Sequence, residues 1–209
     1  MVSFILLVFG LSMIYVSLTS RHTVYIKIVA LQGFLLFLLV LFDVGQIPKA
    51  EFIVLTFETL VFKAFVLPLL LSRIVRKNNA LRGSEPFIPH FYSVLITTLI
   101  VIASFVVAYW AEGRGVKPFF FGMAISTIAC SLFIIMTRRS ILKHVMGFVM
   151  LENGIFLISL SAEVEMPLIV TMGTLLDVFI AVFILGLFVK RVQEAFEDTG
   201  IDKLTGLKD

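Results

Sequence analysis

Three ionisable side chains, Lys63, Glu152 and Asp177, fall near the middle of runs that are otherwise apolar enough to lie within a lipid bilayer. A charge at the centre of a transmembrane helix costs at least about 2.5–3.5 kcal/mol on insertion scales, so such residues face protein or water and commonly mark ion or proton pathways. The competing reading is an interhelical polar contact that only fixes packing. Three such residues at one depth in a chain of 209 favour function. Desolvation favours the neutral form of a carboxyl or an amine, whereas an opposite charge alongside favours the ionised form. A lysine among acids therefore makes a set of groups able to take up, hand on and release a proton.

Two of the three can be related by length alone. The turn SAEVEMP lies about a dozen residues after Glu152 and about a dozen before Asp177, so at 1.5 Å per residue both carboxylates sit roughly 18 Å below it in an antiparallel hairpin. Helix rotation, which decides whether they face each other, is not given by length. Polar company at similar depth comes from Asn153, beside Glu152, and from Gln32 and Glu58. Glu58 and Lys63 are five residues apart, which on an α-helix turns them to different sides. Pro68 frees a backbone carbonyl in the same run, with a plain kink as the simpler meaning. Lys27 and Asp43 lie near span ends and read as snorkelling charges. His22, His90 and His144 map near one surface without haem spacing, and Cys130 is the only cysteine, so no internal disulfide forms. No metal motif, phosphate-binding loop, nucleophile elbow or dinucleotide fingerprint is present.

The elements that must position these groups are membrane helices. Sixty per cent of the residues are hydrophobic and 15% charged, and apolar runs of about 20 residues recur, enough to cross a hydrocarbon core roughly 30 Å thick. We read an all-α polytopic membrane protein of seven transmembrane helices, at residues 2–19, 24–43, 52–72, 92–110, 118–137, 141–161 and 167–189, because in lipid a helix satisfies its own backbone. Pro118 and Pro167 open two of them as N1-type prolines. The first run, MVSFILLVFGLSMIYVS, lacks the basic start of a signal peptide and is expected to remain as a helix. The net charge of +3 is better read as membrane topology than as affinity for nucleic acid, which is not an expected partner.

Arg21, Arg73, Arg76, Lys77, Arg82, Arg138, Arg139, Lys143, Lys190, Arg191, Lys203 and Lys208 gather on one side, against Lys49, Arg114 and Lys117 on the other. That puts the N-terminus outside and the C-terminus in the cytoplasm. The chain divides into an N-terminal three-helix region (1–75), a loop, spacer helix and outer loop (76–117), a second three-helix region (118–191) and a tail (192–209). The two three-helix regions share an outside start, a basic first connection (SRH, TRRS), a polar residue in the second helix (Gln32, Glu152) and a basic end. Duplication would produce this, and so would the general likeness of apolar helices.

The segments TRRSILKHVMGFVMLENGIFLISL, TMGTLLDVFIAVFILGLFVKRV and TGIDKLTGLKD, with LFDVGQIPKAEF and VFKAFVLPLLL in the first half, resemble the component E membrane subunits of hydrogenase-4 and formate hydrogenlyase complexes over essentially the whole chain. The last three spans also resemble the small 4L (K-type) subunit of respiratory complex I and the C subunit of multisubunit cation/proton antiporters. Under the complex I resemblance, Asp177 falls on the third-helix carboxylate of that subunit and Asn153 on its second-helix asparagine. The second-helix glutamate falls on Val149, and Glu152 stands three residues further, about one turn along nearly the same face. The resemblance implies a non-redox membrane subunit without an active site or cofactor of its own, in a prokaryotic cytoplasmic membrane. It would contribute Glu152, Asp177, Lys63, Asn153, Gln32 and Glu58 to an axis coupling electron transfer to proton or cation movement. Implied partners are antiporter-like and other membrane subunits and a peripheral hydrogenase arm carrying the iron–sulfur clusters and [NiFe] centre. An antiporter subunit, or a scaffold whose buried charges only pair, are the alternatives.

Overall fold

The computed structural model describes residues 1–42, 49–77, 88–113 and 115–162 and, singly, Gly173 and Gly186. The described residues build helices α1 (Val2–Leu18), α2 (His22–Phe42), α3 (Lys49–Phe57), a π-helical segment (Glu58–Val66), α4 (Leu67–Lys77), α5 (His90–Trp110), α6 (Pro118–Thr137) and α7 (Ile141–Ser161). Among these residues the only extended pairing is one isolated bridge, Val116 to Ala162. Five stretches, His22–Phe42, Leu55–Arg73, His90–Trp110, Pro118–Thr137 and Leu142–Ser161, are long and apolar enough to cross a membrane, and Val2–Leu18 is a shorter apolar helix. The protein is an all-α polytopic membrane protein. Apart from Gly173 and Gly186, the seventh expected span, with Asp177, and the tail lie outside the described residues, as do Asp43 and most of the loop after α4.

Helix ends follow from local chemistry. Pro118 starts α6 where its missing N–H is an orphan in any case. Ser140 takes the extended conformation of an N-cap before α7. The third span is one continuous helix with a change of winding in it. At the exit of the π segment the Leu67 N–H reaches five residues back to the Phe62 carbonyl. Pro68, the next residue, has no N–H to extend that pattern. At its entrance the Thr59 hydroxyl donates to the Leu55 carbonyl at 2.7 Å, competing for an acceptor of the α-helical ladder.

Packing is in two apolar blocks stacked along the helix axes. One holds Met13 and Val16 of α1, Tyr25 to Val29 of α2, Leu67 and Leu71 of α4, Cys130 and Ile134 of α6 and the stretch of α7 up to Met150. The other holds Ile5 to Phe9, Leu35 to Val40, Leu55, Phe120 to Ala124 and Phe156 to Leu160. On every helix that enters both blocks, the changeover residues are polar: Ser12, Gln32, Glu58 and Lys63, Ser126 and Thr127, Glu152 and Asn153. The α6–α7 pair closes tightly because a Cβ at Gly154 would stand 2.7 Å from the Ile128 side chain and 3.0 Å from its backbone N.

At one end of the bundle the Arg138 guanidinium donates to the Ser17 carbonyl at 2.9 Å, and the Ser20 hydroxyl and His90 ring lie 3.1 Å apart. At the opposite end the Lys117 N–H donates to the Ser161 carbonyl at 2.8 Å. Arg21, Arg73, Arg138, Arg139 and Lys143 all belong to the first end by their places on the helices. The side of the membrane to which they were counted leaves their burial open, and two of them are fully buried: Arg138 and Lys143, at 1% and 0% exposure. They lie where three helix ends converge, so the basic end is partly interior.

Candidate functional site at mid-membrane depth

Lys63 occupies the middle of the third span and is 1% exposed. Its ammonium donates to Glu152 Oε1 on α7 at 2.8 Å. The Glu58 carboxylate, on the same helix as Lys63, stands 3.8 Å from the ammonium. The Phe156 ring, one turn beyond Glu152, presents its face 4.8 Å away, a cation–π contact that strengthens when water is excluded. One cation is thus held by two carboxylates and a ring.

The proximity of Glu58 and Lys63 corrects the α-helical expectation that five residues separate them around the helix. In a π-helix the hydrogen-bond step is i to i+5, so residues five apart stack over one another. Both lie within the Glu58–Val66 segment. The change of winding is what makes Lys63 a shared cation.

Beside the ion pair runs a directed chain of hydrogen bonds across three helices. Asn153 Nδ2 donates to Gln32 Oε1 at 3.2 Å, and Gln32 Nε2 donates to Ser12 Oγ at 2.9 Å and to Met13 Sδ at 2.9 Å. Ser12 Oγ in turn donates to the Phe9 carbonyl at 2.6 Å. Gln32 is fully buried, and each such interhelical bond is worth about 0.6 kcal/mol on average in membrane bundles. Ser126 and Thr127, at the same level on α6, both donate to the Met123 carbonyl of their own helix. Their hydroxyls therefore serve α6 rather than the chain. Glu152 and Asn153 are neighbours on α7, so the ion pair and the amide chain meet there.

Gly33 allows the approach of α2 to the π segment. A Cβ built on it would stand 2.7 Å from the Lys63 carbonyl carbon and 2.8 Å from the Ala64 nitrogen. Only a hydrogen fits, so the backbone bearing Lys63 lies directly against the helix bearing Gln32.

Five of the six residues singled out from the sequence, Lys63, Glu152, Glu58, Gln32 and Asn153, thus lie in one layer, and Asp177 lies outside the described residues. Sequence reading missed Ser12, Gly33 and Phe156. Phe156 carries a usable signal in its i+4 spacing from Glu152, whereas Ser12 and Gly33 carry none without the packing. Chemically, Lys63, Glu58 and Glu152 when all ionised sum to one excess negative charge, which a single added proton neutralises. Among the described residues no three His, Cys, Asp or Glu side chains are grouped to hold a metal ion.

Comparison with known proteins gives the setting. The sequence is 33% identical over 153 residues to an uncharacterised protein of Mycobacterium tuberculosis, covering 72% of this chain and 70% of that one. It is 24% identical over 149 residues to hydrogenase-4 component E of Escherichia coli and to that of Shigella flexneri, covering 70% of this chain and 68% of each. No family model and no solved structure matches the chain.

Proposed function

The chain belongs to the same family as the uncharacterised mycobacterial protein and is a distant homologue of hydrogenase-4 component E, and from that footing we propose that it is a non-redox membrane subunit of a hydrogenase-like, complex-I-related assembly. Its work is to hold protonatable side chains inside the membrane and transmit coupling between electron transfer and proton or cation movement. The observation that carries this reading is the Lys63 ammonium shared between Glu152 at 2.8 Å and Glu58 at 3.8 Å, at the mid-depth of the bundle. A cation with two acceptors moves between them in step with protonation, because each added proton removes one attraction and leaves the other.

In this reading Lys63 is the group that changes partner, and Glu152 and Glu58 are the carboxylates that gain and lose the proton. Asp177 is the next acid along the axis. Asn153 and Gln32 orient α7 against α2 and α1, so that Glu152 is held where Lys63 can reach it. The iron–sulfur and [NiFe] centres of the assembly belong to other subunits, and the location is a prokaryotic cytoplasmic membrane with the basic end inside.

Two measurements test the proposal. Purification in mild detergent is expected to bring down further hydrophobic subunits and a nickel- and iron-containing module; recovery as a monodisperse single chain counts against it. Glu152→Gln is expected to leave that assembly intact while reducing coupled ion movement at least tenfold, and full coupling in this variant reduces the buried charges to a scaffold. An assembly that lacks nickel and iron–sulfur clusters yet exchanges Na⁺ for H⁺ assigns the chain to the antiporter class instead.

A further inference from the structure

Among the described helices the winding changes in one place, the π segment that carries Glu58 and Lys63. Among the described residues Pro68 is also the only proline with a full turn of helix ahead of it, since Pro89 is an N-cap and Pro118 a first-turn residue. The two features adjoin. The π segment ends at Val66, and the α-helix that follows it opens with Leu67 and Pro68.

An α-helix presses a proline ring against the carbonyl four residues back, here that of Ala64, and offers that carbonyl no N–H. A turn wound by steps of five draws the carbonyl aside, and the Leu67 N–H accordingly reaches the Phe62 carbonyl. The displaced backbone needs room beside it. Gly33 of α2 supplies the room, because a Cβ there would stand 2.8 Å from the Ala64 nitrogen and 2.9 Å from the Lys63 carbonyl oxygen. The Thr59 hydroxyl does not by itself account for the winding. Thr97 of α5 and Thr127, Ser131 and Thr137 of α6 bond in the same way to the carbonyl four residues back, and those helices keep the α step throughout.

The winding decides which residue stands over Lys63. With α steps the neighbours on its N-terminal side are Thr59 and Leu60, neither of them an acid. With the π step the neighbour is Glu58, whose carboxylate lies 3.8 Å from the ammonium. We propose that Pro68 is a positioning residue for the buried ion-pair layer: by holding the turn ahead of it in the π winding, it gives Lys63 its second carboxylate. The effect of Pro68 on pairing stands on this geometry alone, and its effect on ion movement rests on the reading of the layer as the coupling site.

The test uses the full chain with whatever subunits accompany it, purified in mild detergent. Glu58→Gln, Lys63→Met and the double variant are each made with Pro68 retained and with Pro68→Ala, and their unfolding temperatures are compared. With Pro68 retained, the double variant is expected to depart from the sum of the single ones by about 2–4 °C, the mark of groups in contact. In Pro68→Ala the two effects are expected to add. Pro68→Leu, which restores the same N–H, serves if Pro68→Ala fails to fold. A relocated acid separates a change of winding from mere loosening. Glu58→Gln combined with Thr59→Glu puts a carboxyl four residues before Lys63, so it is expected to pair with Lys63 in Pro68→Ala and not where Pro68 is retained, as read by the same non-additivity with Lys63→Met. Coupled ion movement is expected to fall in Pro68→Ala and to return when the acid is relocated in that variant. Undiminished non-additivity between Glu58 and Lys63 in Pro68→Ala, or a relocated acid that pairs equally in both backgrounds, overturns the proposal. Pairing that follows the winding while ion movement stays at the wild-type level in every variant upholds Pro68 as a positioning residue and removes the coupling role from the layer.

Discussion

Lys63 is the side chain on which the interior depends. An ammonium buried to 1% exposure is tolerated because a carboxylate from another helix meets it at 2.8 Å, with a second carboxylate and an aromatic face close by. Removing one partner of such an arrangement leaves charge stranded in a medium that cannot solvate it, at a cost of about 3–5 kcal/mol. Lys63→Met is therefore expected to lower thermal stability in detergent strongly, and the double variant Lys63→Met with Glu152→Gln to recover a large part of the loss. If the double variant is no more stable than the single one, the pair is not the source of the cost. Glu152→Gln alone is the gentler change, because an amide oxygen still accepts from the ammonium and Glu58 remains beside it. It isolates protonation from folding, with loss of ion coupling in an intact assembly as the expected outcome. Asn153→Ala acts by another route, loosening α7 from α2 by about 1 kcal/mol and leaving every charge in place.

The element that gathers these residues is a helix wound in two ways. Glu58 and Lys63 were legible in the sequence as intramembrane charges, because charge stands out in an apolar run whatever the local geometry. Their proximity was not legible, since it depends on a hydrogen-bond step of five in place of four, and no side-chain pattern encodes that step directly. Pro68 was the visible trace, and its effect is to end the wider winding rather than simply to kink a helix. Gly33 was invisible for a similar reason: a glycine in an apolar helix has many meanings until a neighbouring backbone is found 2.7 Å from its missing Cβ. Gly33→Ala is expected to force α2 away from the π segment and cost about 1–3 kcal/mol as an overpacked contact. It should also reduce coupling although no charge is altered. A variant with wild-type stability and coupling shows that the two helices separate without consequence.

At the scale of the molecule, the helices themselves were the most legible feature, because their apolar length is dictated by the bilayer. Rotation about each axis was not, and rotation decides which polar residues meet. Asp177, the depth-matched expectation for Glu152 from the hairpin, lies outside the described residues, and among the described residues Glu152 meets Lys63, 89 residues away in sequence. Arg138 and Lys143 show the same limit in reverse, since their basicity reported a side of the membrane and said nothing of burial. The bundle that results is two apolar blocks with a polar layer between them. Apolar blocks are poor conductors of an electric field's effects compared with a polarisable layer, so the potential across the membrane falls in two steps, one on either side of Lys63. A charge that travels between this layer and either surface then crosses about half of the potential, or about 1 kcal/mol per 100 mV out of the roughly 2.3 kcal/mol for the full passage. The expected signature is a coupled rate whose logarithm responds to imposed voltage with an apparent valence near one half, and the layer is an electrical midpoint only if that slope is found.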